Sequence, residues 1–361
     1  MAKIRVLVVE DSLTTRKHLV EVLGADPEIE VAGEAEDGRQ AIDLCRALRP
    51  DVMTLDLMLP VMSGLGVTEY VMAYCPTPIL IVSASLNRGE LYKTYDALAA
   101  GAVDVLEKPS GEESGDGWRE KLISTVKLVA RIRVITHIRA RLAPAAGRAA
   151  NGAAEAEAGN GRRAPRVIAI GASTGGPGAI VEILRGLPKD FAVPILLVLH
   201  IGAPFSASFA DWLDGQSELR VREARDGEPL PALGQAGVIM APAGRHLVVQ
   251  QERLRLTDGA ERNSCRPSVD VLFESLARER GAETVACLLT GMGRDGAAGL
   301  LELRRAGART IAQDQASSVV FGMPREAIER GAAELVLPLG EIGRALVTAA
   351  AAAAMESKRK T

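Results

Sequence analysis

Ser173 stands in RVIAIGASTGGPGAI (residues 166–180), a hydrophobic run broken by a serine inside a glycine cluster. Such a stretch suits a phosphate cradle, a nucleophile turn or a tight strand-to-helix connection. Gly171, Ser173 and Gly175 satisfy G-x-S-x-G, with a strand before them and a helix expected from near Pro177, which would lift the serine Oγ to the rim of a sheet. The dinucleotide fingerprint needs a different glycine spacing and an acidic residue about 20 positions on. Here the next strand, PILLVLH, ends at His200 instead. No Walker lysine follows the glycines, which excludes a P-loop. His200 is one of four histidines, with His18, His137 and His246. It should emerge at the same rim as Ser173. A third strand, VACLLTG, runs into TGMGRDG and Asp295. Singly, His200 equally fits a core histidine, and Asp295 a cap on DGAAGLLELRRAG. Together, a histidine can take a serine proton while a carboxylate fixes its tautomer. The surrounding glycines let backbone N–H groups approach a developing oxyanion. The chain order Ser, His, Asp differs from the Ser, Asp, His order of α/β-hydrolases, which disfavours that fold.

A second constellation lies upstream. Glu10 and Asp11 end one apolar run, Asp56 ends DVMTLD, Ser83 ends TPILIVSAS, and Lys108 ends AVDVLEKP. In a parallel sheet these ends converge. Three carboxylates at one rim repel one another and call for a divalent cation; hard oxygen ligands and an open position suit magnesium. The ion, the Lys108 ammonium and the Ser83 hydroxyl together could offset the charge of a phosphoryl group on Asp56. Capping of the first helix is the plainer role for Glu10 and Asp11.

The elements that must position these residues alternate strand and helix. Short apolar runs such as IRVLVV, ILIVS and ILLVL fit strands buried on both faces, and helix-spaced segments such as SLTTRKHLVEVLGA and GRQAIDLCRAL separate them. The fold class is therefore α/β, with an N-terminal doubly wound domain and a C-terminal doubly wound, mostly parallel-sheet domain. HLVVQ and RLRLT form the one expected antiparallel pair. A helix is expected from about Trp118 to Arg139. Residues 1–125 make the first domain, 126–165 a helical and Ala/Gly-rich linker, 166–348 the second domain, and 349–361 a flexible tail. A net charge of -3 and the absence of a long basic run before KRK at 358–360 argue against a nucleic-acid partner. The first apolar run meets two acidic residues after six positions, too soon for an export signal, and no window is long enough for membrane insertion. Cys45, Cys75, Cys265 and Cys287 lack paired spacing, as expected of a cytoplasmic protein.

VLVVEDS, the Asp56 strand with LMLPVMSG, ILIVSAS and VDVLEKP resemble the receiver domain of two-component response regulators, over roughly residues 3–125. The resemblance implies that Asp56 accepts a phosphoryl group from a histidine kinase. It also implies that Glu10, Asp11, Asp56 and the Met58 backbone carbonyl hold magnesium, and that Ser83 and Lys108 sense the phosphate. Glu10 replaces the first aspartate common in such acidic pairs, and Val105 stands where many receivers carry an aromatic switch residue.

IGASTGGPGAI, VLHIGAPFSASFADWLD, IMAPAGRHL, CRPSVDVLFESLA, LLTGMGRDGAAGLLELRRAGARTIAQD and SSVVFGMPREAI resemble the catalytic domain of the chemotaxis protein-glutamate methylesterase (CheB) family, across nearly all of 166–348. This resemblance implies Ser173 as nucleophile, His200 as general base, Asp295 as its orienting acid and the Met292 backbone N–H in the oxyanion hole. The implied reaction is phosphorylation-regulated hydrolysis of glutamyl methyl esters on chemoreceptor cytoplasmic helices, releasing methanol, with deamidation of receptor glutamines as a companion activity. A kinase of CheA type is the implied phosphoryl source, and the ester step needs no cofactor. The unphosphorylated receiver is expected to lie over the Ser173 rim. Alternatives are the same esterase in a non-chemotaxis pathway, or a receiver-controlled protein-binding module without catalysis. Several positions depart from the family or are open in role. Gly202 interrupts the segment after His200, and Cys265 stands where histidine is common, read here as a small, partly buried residue. His246, Arg266 and Ser268 fit structural roles as readily as rim or substrate contacts. The tail AAAAMESKRKT lacks an aromatic receptor tether.

Overall fold

Apolar runs bounded by Gly, Pro, Asp and Ser fold as strands, and helix-spaced segments between them fold as crossovers. The computed structural model describes residues 3–84, 88–109, 116–132, 134, 163–206, 208–235 and 237–359. The first domain comprises β1 (Ile4–Val9), α1 (Leu13–Gly24), β2 (Ile29–Ala35), α2 (Gly38–Leu48), β3 (Val52–Leu55) and α3 (Gly64–Tyr74). It continues with β4 (Ile79–Ser83), α4 (Arg88–Ala99), β5 (Asp104–Glu107) and α5 (Asp116–Val129). Its sheet is parallel in the order β2-β1-β3-β4-β5. Burial on both faces explains why Val6 to Val9 form a continuous apolar run rather than an alternating one. Ser12, Asp37 and Ser63 cap α1, α2 and α3 by accepting from backbone N–H groups of the first turn.

The second domain runs β6 (Val167–Ala172), α6 (Gly176–Arg185), β7 (Ile195–Leu199), α7 (Ala203–Ser206), α8 (Phe209–Asp214), β8 (Val221–Glu223) and β9 (Val238–Met240). Then come β10 (His246–Gln250), β11 (Arg253–Thr257), α9 (Val269–Glu279), β12 (Thr284–Leu288) and α10 (Ala297–Arg305). It closes with β13 (Arg309–Gln313), α11 (Met323–Glu329), β14 (Leu335–Leu337) and α12 (Leu339–Arg359). Seven strands pair in parallel in the order β14-β13-β12-β6-β7-β9-β8, and β10-β11 form the expected antiparallel pair. In both sheets the chain reverses its direction of winding beside the first strand laid down. The crevice at the C-terminal strand ends there is where such folds take ligands.

Three expected boundaries shift. The helix expected over 118–139 stops at Val129, so the limit at 125 falls inside α5. Ile132 and Val134 still pack on the first core, while 135–162, most of the expected linker, lie outside the described residues. The expected flexible tail is instead helical as far as Arg359, because alanine, the strongest helix former, fills 349–354.

The domains meet through α4. Tyr95, fully buried, belongs to the core cluster of the second domain, where its ring stands edge-on to Phe209 at 5.3 Å. Its hydroxyl donates to the Phe205 carbonyl at 2.5 Å. Trp212 Nε1 donates to Asp96 at 2.9 Å, and Arg88 pairs with Asp211 at 2.8 Å on the exposed edge. Val105 packs against the cores of both domains, and Val319 and Val320 pack against the first. A cavity of about 610 Å³ opens between the domains, lined by Tyr70, Leu98, Gly178, Arg185 and Val319.

Candidate active site

Ser173 follows β6, His200 follows β7, and the segment 289–296 follows β12, so the three candidate residues lie at the ends of adjacent strands. The backbone locks this junction. His200 N donates to Ala172 O at 3.0 Å, and Ser173 N donates to Thr290 O at 3.0 Å. Gly175 makes the turn into α6 with φ +77; a Cβ there would lie 2.5 Å from Val319. At Gly291 a Cβ would meet Ser173 Cβ at 2.7 Å and Met323 Sδ at 2.3 Å, so only glycine fits beside the Ser173 turn.

His200 Nε2 lies 2.9 Å from Asp295 Oδ2. Asp295 does not cap the helix that follows it. Instead it faces the start of α9, accepting from Ser268 Oγ at 2.7 Å, Val269 N at 2.7 Å and Asp270 N at 3.2 Å, and from Asn263 at 3.1 Å. Burial alone would raise its pKa, but the bond and charge of His200, with those donors, hold it down at about 2. An ionised carboxylate only accepts, so in the neutral ring Nε2 carries the proton of the shared bond and Nδ1 holds the free lone pair. Burial pulls His200 down, yet Asp295 and the neighbouring Cys265 outweigh it and lift the imidazole to about 9. The Ser173 hydroxyl makes no hydrogen bond to another described residue; catalytic bonds of this kind commonly close only around substrate. Met292 is 53% exposed, and its N–H makes no hydrogen bond to a described residue, leaving the donor open beside Ser173.

The neighbours resolve otherwise open roles. His246 is buried, bonded through Nε2 to Ala260 O and accepting from Ser268 N on Nδ1, so it braces the 259–268 segment rather than the rim. Ser268 serves Asp295 and caps α9. Arg266 donates to Gly259 O, in the same segment. Cys265, expected to be only a small, partly buried side chain, has its Sγ 3.7 Å from His200 Nδ1. Asn263 and Asp270 are functional neighbours that strand-end reasoning does not reach; Asp270 is the last residue of RPSVD and Asn263 stands three residues before that motif.

In the first domain Glu10, Asp11 and Asp56 offer ligand oxygens within 4.8 Å of one another. Lys108 Nζ lies between two of them, 2.8 Å from Glu10 Oε2 and 3.0 Å from Asp56 Oδ2. Burial, with the charge of Asp56, raises Glu10 against the opposing pull of Lys108. Burial lowers Lys108, but the two carboxylates more than compensate and raise it. Ser83 is buried at the end of β4, and its carbonyl accepts from Lys108 N at 2.9 Å. Met58, two residues past Asp56, is 47% exposed. Asp104 on β5 accepts from Val105 N at 2.8 Å, and its burial raises its pKa.

Residues 168–346 match the family model for CheB methylesterase, and 6–115 match that for the response regulator receiver domain. A protein-glutamate methylesterase/protein-glutamine glutaminase of Anaeromyxobacter dehalogenans is 46% identical over 343 residues, 95% of this chain and 96% of that one. A protein of the same description from Nitrosospira multiformis is 44% identical over 347 residues, 95% of this chain and 96% of that one. Among solved structures, the Thermotoga maritima CheB methylesterase catalytic domain is 38% identical, covering 52% of this chain and 99% of its own, with a TM-score of 0.48.

Proposed function

This chain belongs to the CheB methylesterase family, with a response regulator receiver domain ahead of the esterase, and on that premise we propose how its residues divide the work. The activity is that of a protein-glutamate methylesterase and protein-glutamine glutaminase in chemotaxis-type signalling. Ser173 Oγ attacks the γ-carbonyl of a glutamyl methyl ester while His200 Nδ1 takes its proton. Asp295 holds the ring through Nε2 and balances the imidazolium that forms. The Met292 N–H stabilises the oxyanion. Methanol leaves with the proton from His200, and water then cleaves the acyl-enzyme by the same route. A glutamine amide follows the same course with ammonia as leaving group.

Asp56 is the phosphoacceptor. Glu10, Asp11 and Asp56 fit magnesium, because their carboxylates are hard oxygen donors close enough to share one ion, and the Met58 backbone carbonyl completes the set we propose. When bound, the ion neutralises charge during phosphoryl transfer. Lys108 and Ser83 hold the phosphorylated state. The phosphoryl source is a histidine kinase of CheA type, and the substrate is carried on chemoreceptor cytoplasmic helices. Among the described residues no helix is long and apolar enough to cross a membrane.

The domain boundaries that go with this reading are a receiver extending through α5 and an esterase from about 166. The receiver restrains the esterase through α4 and β5, and phosphorylation loosens that seam. A switch from 1:99 to 99:1 needs about 5.5 kcal/mol of differential interaction. The packing of Val105 on both cores, and of Val319 between the first core and Gly175 of the Ser173 turn, gives the seam a route to that turn.

The observation that carries the catalytic reading is the 2.9 Å His200–Asp295 bond at the strand end beside Ser173. It is tested by methanol release from methyl-labelled chemoreceptor membranes, comparing wild type and Ser173→Ala with and without a phosphoryl donor. Release that needs Ser173 and rises with the donor is expected. Release that persists in Ser173→Ala overturns the assignment of the nucleophile.

A further inference from the structure

Cys265 leaves a tight two-residue turn in which Arg262 and Cys265 exchange backbone hydrogen bonds at 3.1 and 3.0 Å. Asn263 and Ser264 form that turn with φ of 53 and 58, both left-handed. Asparagine tolerates this conformation and serine does so less readily, so the turn is held by its surroundings. Asn263 supplies that hold by donating to Asp270 and Asp295. The result aims a half-buried thiol at the one ring nitrogen of His200 that Asp295 leaves free, at 3.7 Å.

The thiol donates to the Asn263 carbonyl at 3.4 Å and makes a weak contact with Nδ1, and the sulfur–nitrogen separation also fits another geometry. A zinc ion with Zn–S of about 2.3 Å and Zn–N of about 2.05 Å, at the tetrahedral angle, sets its sulfur and nitrogen ligands about 3.6 Å apart. Asp295 on the opposite nitrogen supplies the outer carboxylate that zinc-bound histidines commonly use to fix their tautomer. The donor atoms of His200, Cys265 and Asp295 lie within 4.8 Å of one another. We propose that a thiophilic divalent cation of the zinc type binds between Cys265 Sγ and His200 Nδ1 and switches off ester hydrolysis. The Cys265 thiol and, near neutrality, the Nδ1–H of the His200 imidazolium both release their protons to solvent as the Zn–S and Zn–N bonds form, and solvent completes the coordination. The metal occupies the lone pair that must receive the Ser173 proton, so binding and turnover exclude each other. This silencing rests on His200 acting as the base; the binding itself does not.

The test uses the full chain, freed of metal by chelation. Cobalt(II) serves as the spectroscopic probe and zinc(II) as the inhibitor. Wild type minus Cys265→Ala should show a thiolate-to-cobalt charge-transfer band, so that Cys45, Cys75 and Cys287 cancel in the difference. Zinc should inhibit wild type reversibly, and Cys265→Ala should raise the half-inhibitory concentration at least tenfold, each protein scaled to its own metal-free rate. Cys265→Ser, a smaller perturbation, should behave like the alanine variant. Ser173→Ala should keep the cobalt band while losing hydrolysis. An unchanged cobalt spectrum, or equal zinc sensitivity with and without the thiol, overturns the proposal. Hydrolysis surviving in Ser173→Ala would overturn the catalytic reading instead and leave the cobalt result standing.

Discussion

Replacing Tyr95 with phenylalanine should release part of the restraint on the unphosphorylated enzyme. The substitution keeps the ring against Phe209 and Trp212 and deletes only the hydroxyl that donates to the Phe205 carbonyl across the domain seam at 2.5 Å. Losing one side of a buried neutral hydrogen bond costs about 1–3 kcal/mol. That cost falls on the closed arrangement alone, because only there do α4 and the Phe205 segment touch. Starting from a 1:99 open-to-closed balance, 1 kcal/mol raises the open fraction to about 5%, 2 kcal/mol to about 20% and 3 kcal/mol to about 60%. Basal methanol release without a phosphoryl donor should therefore rise about 5- to 60-fold, while the fully phosphorylated rate stays at the wild-type value. Arg88→Ala provides the contrast. Its ion pair with Asp211 is 65% and 59% exposed, so solvent screens it and the basal rate should change less than twofold. Thermal unfolding of both variants checks that the fold is intact. A folded Tyr95→Phe protein with unchanged basal release would refute the seam as the restraint. An equal rise in the phosphorylated and unphosphorylated rates would show that catalysis, rather than access, had changed.

With His200 lifted to about 9, kcat/KM should climb about tenfold per pH unit from neutrality and level off near that value, as the neutral base accumulates. Asp295→Asn should cut the rate by about 10³- to 10⁴-fold and move the inflection well below 9, because burial then acts on the imidazole without an opposing carboxylate. A pH–rate profile that keeps its inflection in the variant would contradict the role given to Asp295. The raised His200 also contributes stability that is complete below its ordinary 6.5 and lost as pH climbs through about 9, so Tm should fall across that window in wild type and less in Asp295→Asn. Lys108→Ala leaves Glu10 and Asp56 without their shared cation and should cost about 3 kcal/mol. Magnesium should recover more Tm in this variant than in wild type, and an equal response to the ion would count against the three-carboxylate site. Gly291→Ala forces Ser173 or Met323 to move, and a displacement near 1 Å should lower kcat about 100-fold with KM little changed. Wild-type turnover from that variant would mean the nucleophile loop is not held where Gly291 sets it.

Much of the fold was legible because parallel strands buried on both faces write themselves as apolar runs. IRVLVV, ILIVS and ILLVL appear as β1, β4 and β7 with few residues to spare. The strand β8 was missed, since three residues at a sheet edge carry no periodic signal. The end of α12 was missed because an alanine run offers no apolar stripe, although its intrinsic propensity is high. Strand-end logic brought Ser173, His200 and Asp295 to one rim, and Glu10, Asp56, Ser83 and Lys108 to another, because the topology alone fixes where strand ends converge. It could not reach the contacts made by turns. Nothing in NSCRPSVD says that two left-handed residues aim Cys265 at His200, or that Ser268 serves Asp295. Tyr95 was likewise silent, for a tyrosine on a helix looks the same whether it faces its own domain or another.

The position of Asp295 against the start of α9 bears on how inactive forms of this enzyme should be made. One carboxylate both bonds the imidazole and gathers four donors from the 263–270 segment, so it fastens a helix to the sheet as well as filling the role proposed for it in the chemistry. A protein crippled at Asp295 would confound lost turnover with a loosened α9, and its failure in a cell could reflect scarcity as much as inactivity. Ser173 carries no such duty, since its hydroxyl holds nothing else in place among the described residues. On the proposed mechanism it is the position at which turnover should be removable while abundance and the response to phosphorylation are kept for separate study.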